Sequence, residues 1–120
     1  MRIRAVRGAI TVDSDDAEAI VKATGELIQE MMTRNEIEKD DLVSLIFTAT
    51  PDLTSEFPAA AARRIGISDI PLLCATEIDV NGSIDRCIRV MMHTYTEKDY
   101  DSLRHVYLGD ARQLRTDLPE

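Results

Sequence analysis

The sequence predicts an α/β domain of five strands and two helices, with one face of its sheet left uncovered. Three observations carry this. Short Ile/Val-rich runs recur between turn signals, only one segment has long helical periodicity, and one further helix is short. Two helices are too few to cover both faces of such a sheet, so the bare face is expected to be buried by other copies of the chain. With 120 residues, 44% of them apolar, a single domain over 1–120 is expected. Aromatic residues are only 4%, so its core should be aliphatic and methionine-rich.

Each element follows in order. Ile3 to Val12 is rich in Ile and Val, as a strand is. Asp13-Ser14-Asp15-Asp16 is a helix-start signal with acids at the positive end of the helix dipole. Ala17, Ile20, Val21, Thr24, Leu27, Ile28, Met31 and Met32 then share one helical face up to about Asn35, and that spacing makes both methionines core. Leu42 to Thr48 is a nearly unbroken apolar run, the pattern of an interior strand, ended by Thr50-Pro51-Asp52. Pro58 suits the first turn of a short helix continuing to Ile65, and Gly66 suits its stop. Pro71 to Ile78 forms a third strand, Asn81-Gly82 a turn, Ile88 to Tyr95 a fourth strand and Arg104 to Leu108 a short fifth.

Charge excludes several function classes. There are 22 acidic against 14 basic residues, a net charge of −8, which disfavours nucleic acid and anionic membrane surfaces as partners. No apolar stretch has the length of a membrane span. Met1 to Gly8 mixes arginines among apolar residues, unlike a signal peptide, so the cytoplasm is the expected compartment. Cys74 and Cys87 are expected as free thiols there. With His93 and His105 they show no metal-ligand spacing, and no Gly-rich phosphate loop or HExxH segment is present, so neither metal nor other cofactor is expected.

What remains is a set of placed charges and donors. Arg89 interrupts the apolar run Cys87-Ile88-Arg89-Val90-Met91-Met92, and a guanidinium in a buried strand needs an anionic partner. That partner is either an internal carboxylate or a ligand. Glu77, at the end of an apolar strand, is the carboxylate at hand; it either neutralises Arg89 or lines a cleft beside it. Arg7 shares strand parity with Ile3, Ala5 and Ala9, while Arg4 lies on the other face; Arg7 is a ligand-binding candidate or an ordinary edge-strand arginine. Cys74 is a small buried hydrophobe or a site residue, Tyr107 packs a strand end or binds, and Phe57 is core or lining. His93 shares the parity of Arg89 and shows no partner, so it is taken as structural or rim.

Five blocks in order resemble a known family. They are Arg4-Ala5-Val6-Arg7-Gly8-Ala9, Thr48-Ala49-Thr50-Pro51-Asp52-Leu53, Phe57-Pro58-Ala59, Cys87-Ile88-Arg89-Val90-Met91-Met92 and Arg104-His105-Val106-Tyr107-Leu108. Together they resemble the small monofunctional chorismate mutases of the trimeric α/β class. The resemblance implies a five-stranded mixed sheet with one long and one short helix, three copies of which assemble into a homotrimeric pseudo-α/β-barrel with sites between subunits. It implies rearrangement of chorismate to prephenate without any cofactor. By motif, Arg89 and Glu77 are then catalytic, and Arg7 and Tyr107 hold a substrate carboxylate with Cys74 beside Glu77. Phe57, Ala59 and Arg63 resemble a segment contributed by an adjacent subunit, and Leu114 and Arg115 a tail that closes over the site. Ala60 departs from the family, which often has lysine there. Two rival readings stay open at this level: an imine deaminase of the Rid type on a similar trimeric scaffold, and a non-catalytic module that binds an anionic metabolite.

Overall fold

The computed structural model describes residues 1–114. Five strands form one mixed sheet: β1 (Arg2–Thr11), β2 (Leu42–Ala49), β3 (Leu72–Thr76), β4 (Cys87–Thr96) and β5 (Val106–Leu108). Their order is β3-β2-β4-β1-β5, with β4 antiparallel to both neighbours and the outer pairs β2/β3 and β1/β5 parallel. The interior strand expected at Leu42 is interior, but β4 takes the middle of the sheet.

Two helices, α1 (Ala17–Arg34) and α2 (Ala59–Arg64), pack on the same side of the sheet and against each other. The Asp16 carboxylate caps α1 by accepting from the Ala19 amide at 3.1 Å, at the end of the Asp13–Asp16 signal. Its buried residues are Ile20, Val21, Thr24, Leu27, Ile28 and Met31, the stripe that the spacing predicts, with Met32 half-buried beside them. Gly66 ends α2 at φ +87°, where the Ile67 amide reaches back to the Ala62 carbonyl at 2.9 Å.

Strand alternation divides the sheet into two unlike faces. Val6, Ile10, Leu45, Phe47, Val90 and Met92 lie under the helices in the aliphatic core. Gly8 lies on that side too: a Cβ there would stand 2.5 Å from Met31 Sδ and 2.9 Å from Leu27 Cδ1, so its lack of a side chain lets α1 approach β1. The alternate residues, Arg7, Ile46, Thr48, Arg89, Met91 and His93, are half-buried and point away from the helices.

Two expectations need correction. The third strand stops at Thr76 instead of running to Ile78, because Glu77 makes the last backbone bond to Ala49 O (2.9 Å) and the chain then turns at Ile78–Val80. Ile78 is consequently 85% exposed. The fifth strand is only Val106–Leu108, since the His105 ring, and not a carbonyl, accepts from the Arg7 amide just before it (3.0 Å).

Candidate active site

A single row of residues crosses the open face. Thr48 on β2 is the register partner of Arg89 on β4, Arg89 is the partner of Ala9 on β1, and Ala9 is the partner of Tyr107 on β5. Arg7 lies one step along the same face, opposite Met91. These strands floor a cavity of about 330 Å³ lined by Arg7, Gly8, Ile46, Thr48, Glu77, Arg89, Val90, Met91 and Tyr107. Residues far apart in sequence thus meet because strand parity sends them the same way.

Arg89 is the centre of this arrangement. Its side chain is 42% exposed, so the expectation of a wholly buried guanidinium is corrected: the backbone is in the middle of the sheet and the side chain opens to the cavity. Its Nε is sealed and lacks a hydrogen-bond partner among the described residues. Glu77 Oε1 lies 3.5 Å from that Nε. The carboxylate is 22% exposed and accepts from the Thr48 hydroxyl through Oε2 at 2.5 Å. The two readings of Glu77 therefore coexist: it faces Arg89, and the pair lines a cleft. A cavity that holds a cation beside a fixed carboxylate, with Arg7 further along the same face, suits a small anionic molecule whose charge shifts during reaction.

Tyr107 is only 3% exposed and packs with Ala9, Cys87 and Ala111, against which Ile84 and Leu114 lean. Cys87 is sealed in this cluster, and burial pushes its thiol up to about 11 despite the nearby Arg89. Beside the site, Ser44 Oγ and His93 Nδ1 are hydrogen-bonded at 3.2 Å, a partner for His93 that the sequence did not show.

Other expected site residues lie apart in the single chain. Cys74 is the register partner of Phe47 and packs toward the helix-covered side, on the opposite face from Arg89. With Phe57 it lines a second cavity, of about 340 Å³, between the 53–58 loop and β3. Phe57 is 66% exposed there, not core. Ala59 is buried in the first turn of α2 and Arg63 is exposed on the same helix. Leu114 is half-buried against the Tyr107 cluster, and Arg115 lies outside the described residues. Thr48 and His105 are the residues that sequence reasoning missed. Thr48 stands inside a quoted block, but its meeting with Glu77 needs the β2/β3/β4 register, which no local pattern carries.

Comparison with known proteins agrees with this fold. The family described as "Chorismate mutase type I" matches residues 3–118. A protein of Thermus thermophilus named "Chorismate mutase AroH" is 50% identical over 117 residues, spanning 97% of this chain and 96% of its own. One of the same name from Bacillus subtilis (strain 168) is 42% identical over 119 residues, spanning 98% of this chain and 94% of its own. The solved structure "Chorismate mutase from Clostridium thermocellum Cth-682" superposes with a TM-score of 0.90 at 49% identity, covering 92% of this chain and 98% of that one.

Proposed function

We propose how the open-face cavity works from the premise that this chain belongs to the chorismate mutase type I family. It is a chorismate mutase, an isomerase that rearranges chorismate to prephenate on the route to phenylalanine and tyrosine. The rearrangement is intramolecular: a C–O bond breaks as a C–C bond forms. No nucleophile, proton transfer or cofactor is required. The protein must hold a compact chair-like conformer and stabilise the charge that separates as the C–O bond stretches.

The observation that carries the assignment of roles is the Arg89/Glu77 pair in one cavity. Arg89 meets the ether oxygen, which gains negative charge, together with a substrate carboxylate. Glu77 faces the ring hydroxyl and the ring fragment, which becomes relatively positive. Arg7 and Tyr107, on the other side of Arg89, hold carboxylate. A 10⁶-fold acceleration requires about 8 kcal/mol. Conformer selection supplies part of it, and a preoriented cation in a water-poor site supplies several kcal/mol more.

The rest of the site comes from a second copy of the chain. Both helices cover one face of the sheet, while Ile3, Leu73 and Tyr95 stay exposed on the other. A homotrimer, closed as a pseudo-barrel around these faces, buries them. It also brings Phe57, Ala59, Arg63 and Cys74 of one copy, with Leu114, toward the Arg89 cavity of the next. The exposure of Phe57 beside its own separate cavity supports this division. One domain spans 1–120, and the cytoplasm is its compartment; among the described residues no helix is long and apolar enough to cross a membrane.

The test follows loss of chorismate absorbance with purified protein and identifies the product. Prephenate formation that vanishes in a folded Arg89→Ala variant supports the role of Arg89 at the ether oxygen. Unchanged turnover in that variant would remove Arg89 from the mechanism. Sedimentation at micromolar concentration reads the assembly, and a sharp monomer mass would contradict the trimer.

A further inference from the structure

Glu77 is held at two points by consecutive residues of β2. Its amide donates to Ala49 O at 2.9 Å, and its carboxylate accepts from the Thr48 hydroxyl at 2.5 Å. It needs both, because β3 has already ended at Thr76 and the chain turns away at Ile78. Thr48 is also the register partner of Arg89, so its side chain stands between the strand that delivers the carboxylate and the strand that delivers the guanidinium.

A guanidinium and a carboxylate sharing a cavity tend to close into two parallel N–H···O bonds of about 2.7–2.9 Å. In this cavity they do not. The approach is 3.5 Å, and the buried Nε makes no hydrogen bond among the described residues. One carboxylate oxygen is taken by Thr48 instead. A closed fork would occupy the donors that a developing oxyanion needs, and catalysis depends on donors that are already oriented and free.

We propose that Thr48 is a positioning residue: its hydroxyl holds Glu77 through Oε2, keeping the carboxylate off the Arg89 fork and leaving Arg89 open to substrate. This rests on the proposed catalytic roles of Arg89 and Glu77. Thr48 touches Glu77, and its effect on the reaction passes through that carboxylate. Valine keeps the branched shape and volume of threonine without the hydroxyl, and serine keeps the hydroxyl without the methyl.

The test uses the full chain with Thr48→Val, Thr48→Ser, Glu77→Gln and the double variant Thr48→Val/Glu77→Gln. Thr48→Val should lower kcat/KM for chorismate about tenfold or more, the scale of losing one oriented hydrogen bond. Thr48→Ser should stay within about threefold of the parent, since it retains that bond. On the Glu77→Gln background, Thr48→Val should cost less than about threefold, because a residue acting through Glu77 has little left to act on. A purely structural role predicts the same loss on both backgrounds. A crystal structure of Thr48→Val, or of Thr48→Ala if valine crowds the strand, should show Glu77 closed onto Arg89 at hydrogen-bond distance. Parental kinetics in Thr48→Val, equal losses on the two backgrounds, or an unmoved carboxylate overturn the proposal. Absence of chorismate turnover in the parent protein would instead sink the assignment of the reaction, so the two failures are distinct.

Discussion

Arg7 and Gly8 are neighbours in the chain and lie in different physical worlds. Arg7 points from β1 into the open-face cavity, and Gly8 makes room for Met31 and Leu27 of α1 on the covered face. The same division runs through every long strand. Phe47 is core and Thr48 holds a carboxylate; Val90 is core and Arg89 opens to the cavity. One face is dry, aliphatic and close-packed, where a methyl group out of place is felt. The other is half-buried and mixed, with Arg7, Thr48 and Arg89 set among Ile46, Met91 and the exposed Ile3, Leu73 and Tyr95, so that charge is placed against apolar surface. A two-residue period thus separates stability from chemistry, and single substitutions should report one or the other.

The largest effect belongs to the covered face. Phe47→Ala empties a fully buried position over the β2/β4 pair and should cost about 3–5 kcal/mol of stability. Chemical denaturation measures it, with turnover per folded molecule little changed. On the open face, Arg89→Lys should cut kcat about 10²–10³-fold, as an ammonium lacks the planar fork and its oriented donors. Its melting temperature should stay near the parent's, because the side chain is 42% exposed and its one close carboxylate is 3.5 Å away. A large melting shift in Arg89→Lys would break the division between faces. Gly8→Ala comes next, at about 1–3 kcal/mol of stability, because the new methyl meets Met31 and Leu27. Arg7, on the other side of the backbone, should keep its place, so its kinetics test how independent the faces are.

How much of this was legible depends on the range of the signal. Local patterns were enough for the α1 stripe, the Asp16 cap, the Gly66 stop and the parity that separates Arg7 from Arg4. Arg4 does lie elsewhere, over the Tyr100 ring at 4.6 Å. Five ordered blocks were enough for the family. Pairings were not legible, because β1 lies beside β4 and β5, some 80 to 100 residues away, and no local period carries that. Thr48 was missed for this reason. The left-handed turn at Arg86 (φ +47°) gave no signal either, since no glycine marks it; the Asp52 carboxylate accepts from the Arg86 amide at 2.9 Å and holds the turn from 34 residues away. Burial of Arg89 was overread because an apolar run describes the backbone's surroundings and not where a long side chain ends.

Cys87 sharpens the comparison, for it has open-face parity yet no exposure. Tyr107, Ala111 and Leu114 close that end of the face. Burial raises the thiol from 9.0 to about 11, and Arg89 opposes the shift only in part. A folded-state value above the unfolded one means that the thiol's contribution is complete below pH 9.0 and is lost as pH rises toward 11. Melting temperature should therefore fall across that window, and Cys87→Ala should lack this part of the alkaline slope. At pH 8, a thiol reagent should label half-buried Cys74 well before Cys87.

The smallest expected effect is at Cys74 itself, and it tests the comparison from the opposite direction. The family resemblance puts this residue at the site, yet in one chain it faces the helix side with Phe57. Both hold if the second cavity of one copy meets the Arg89 cavity of another, so that a covered-face residue at a sheet edge reaches substrate only across a subunit boundary. A rearrangement within one molecule gives a thiolate nothing to attack. Cys74→Ser preserves size and donor and should leave kcat within about threefold of the parent, with any change falling on KM, as for a lost or altered neutral contact. Complete loss in a folded serine variant would mean that the thiol does chemistry, and the charge-based account of Arg89 and Glu77 would have to give way to a covalent one.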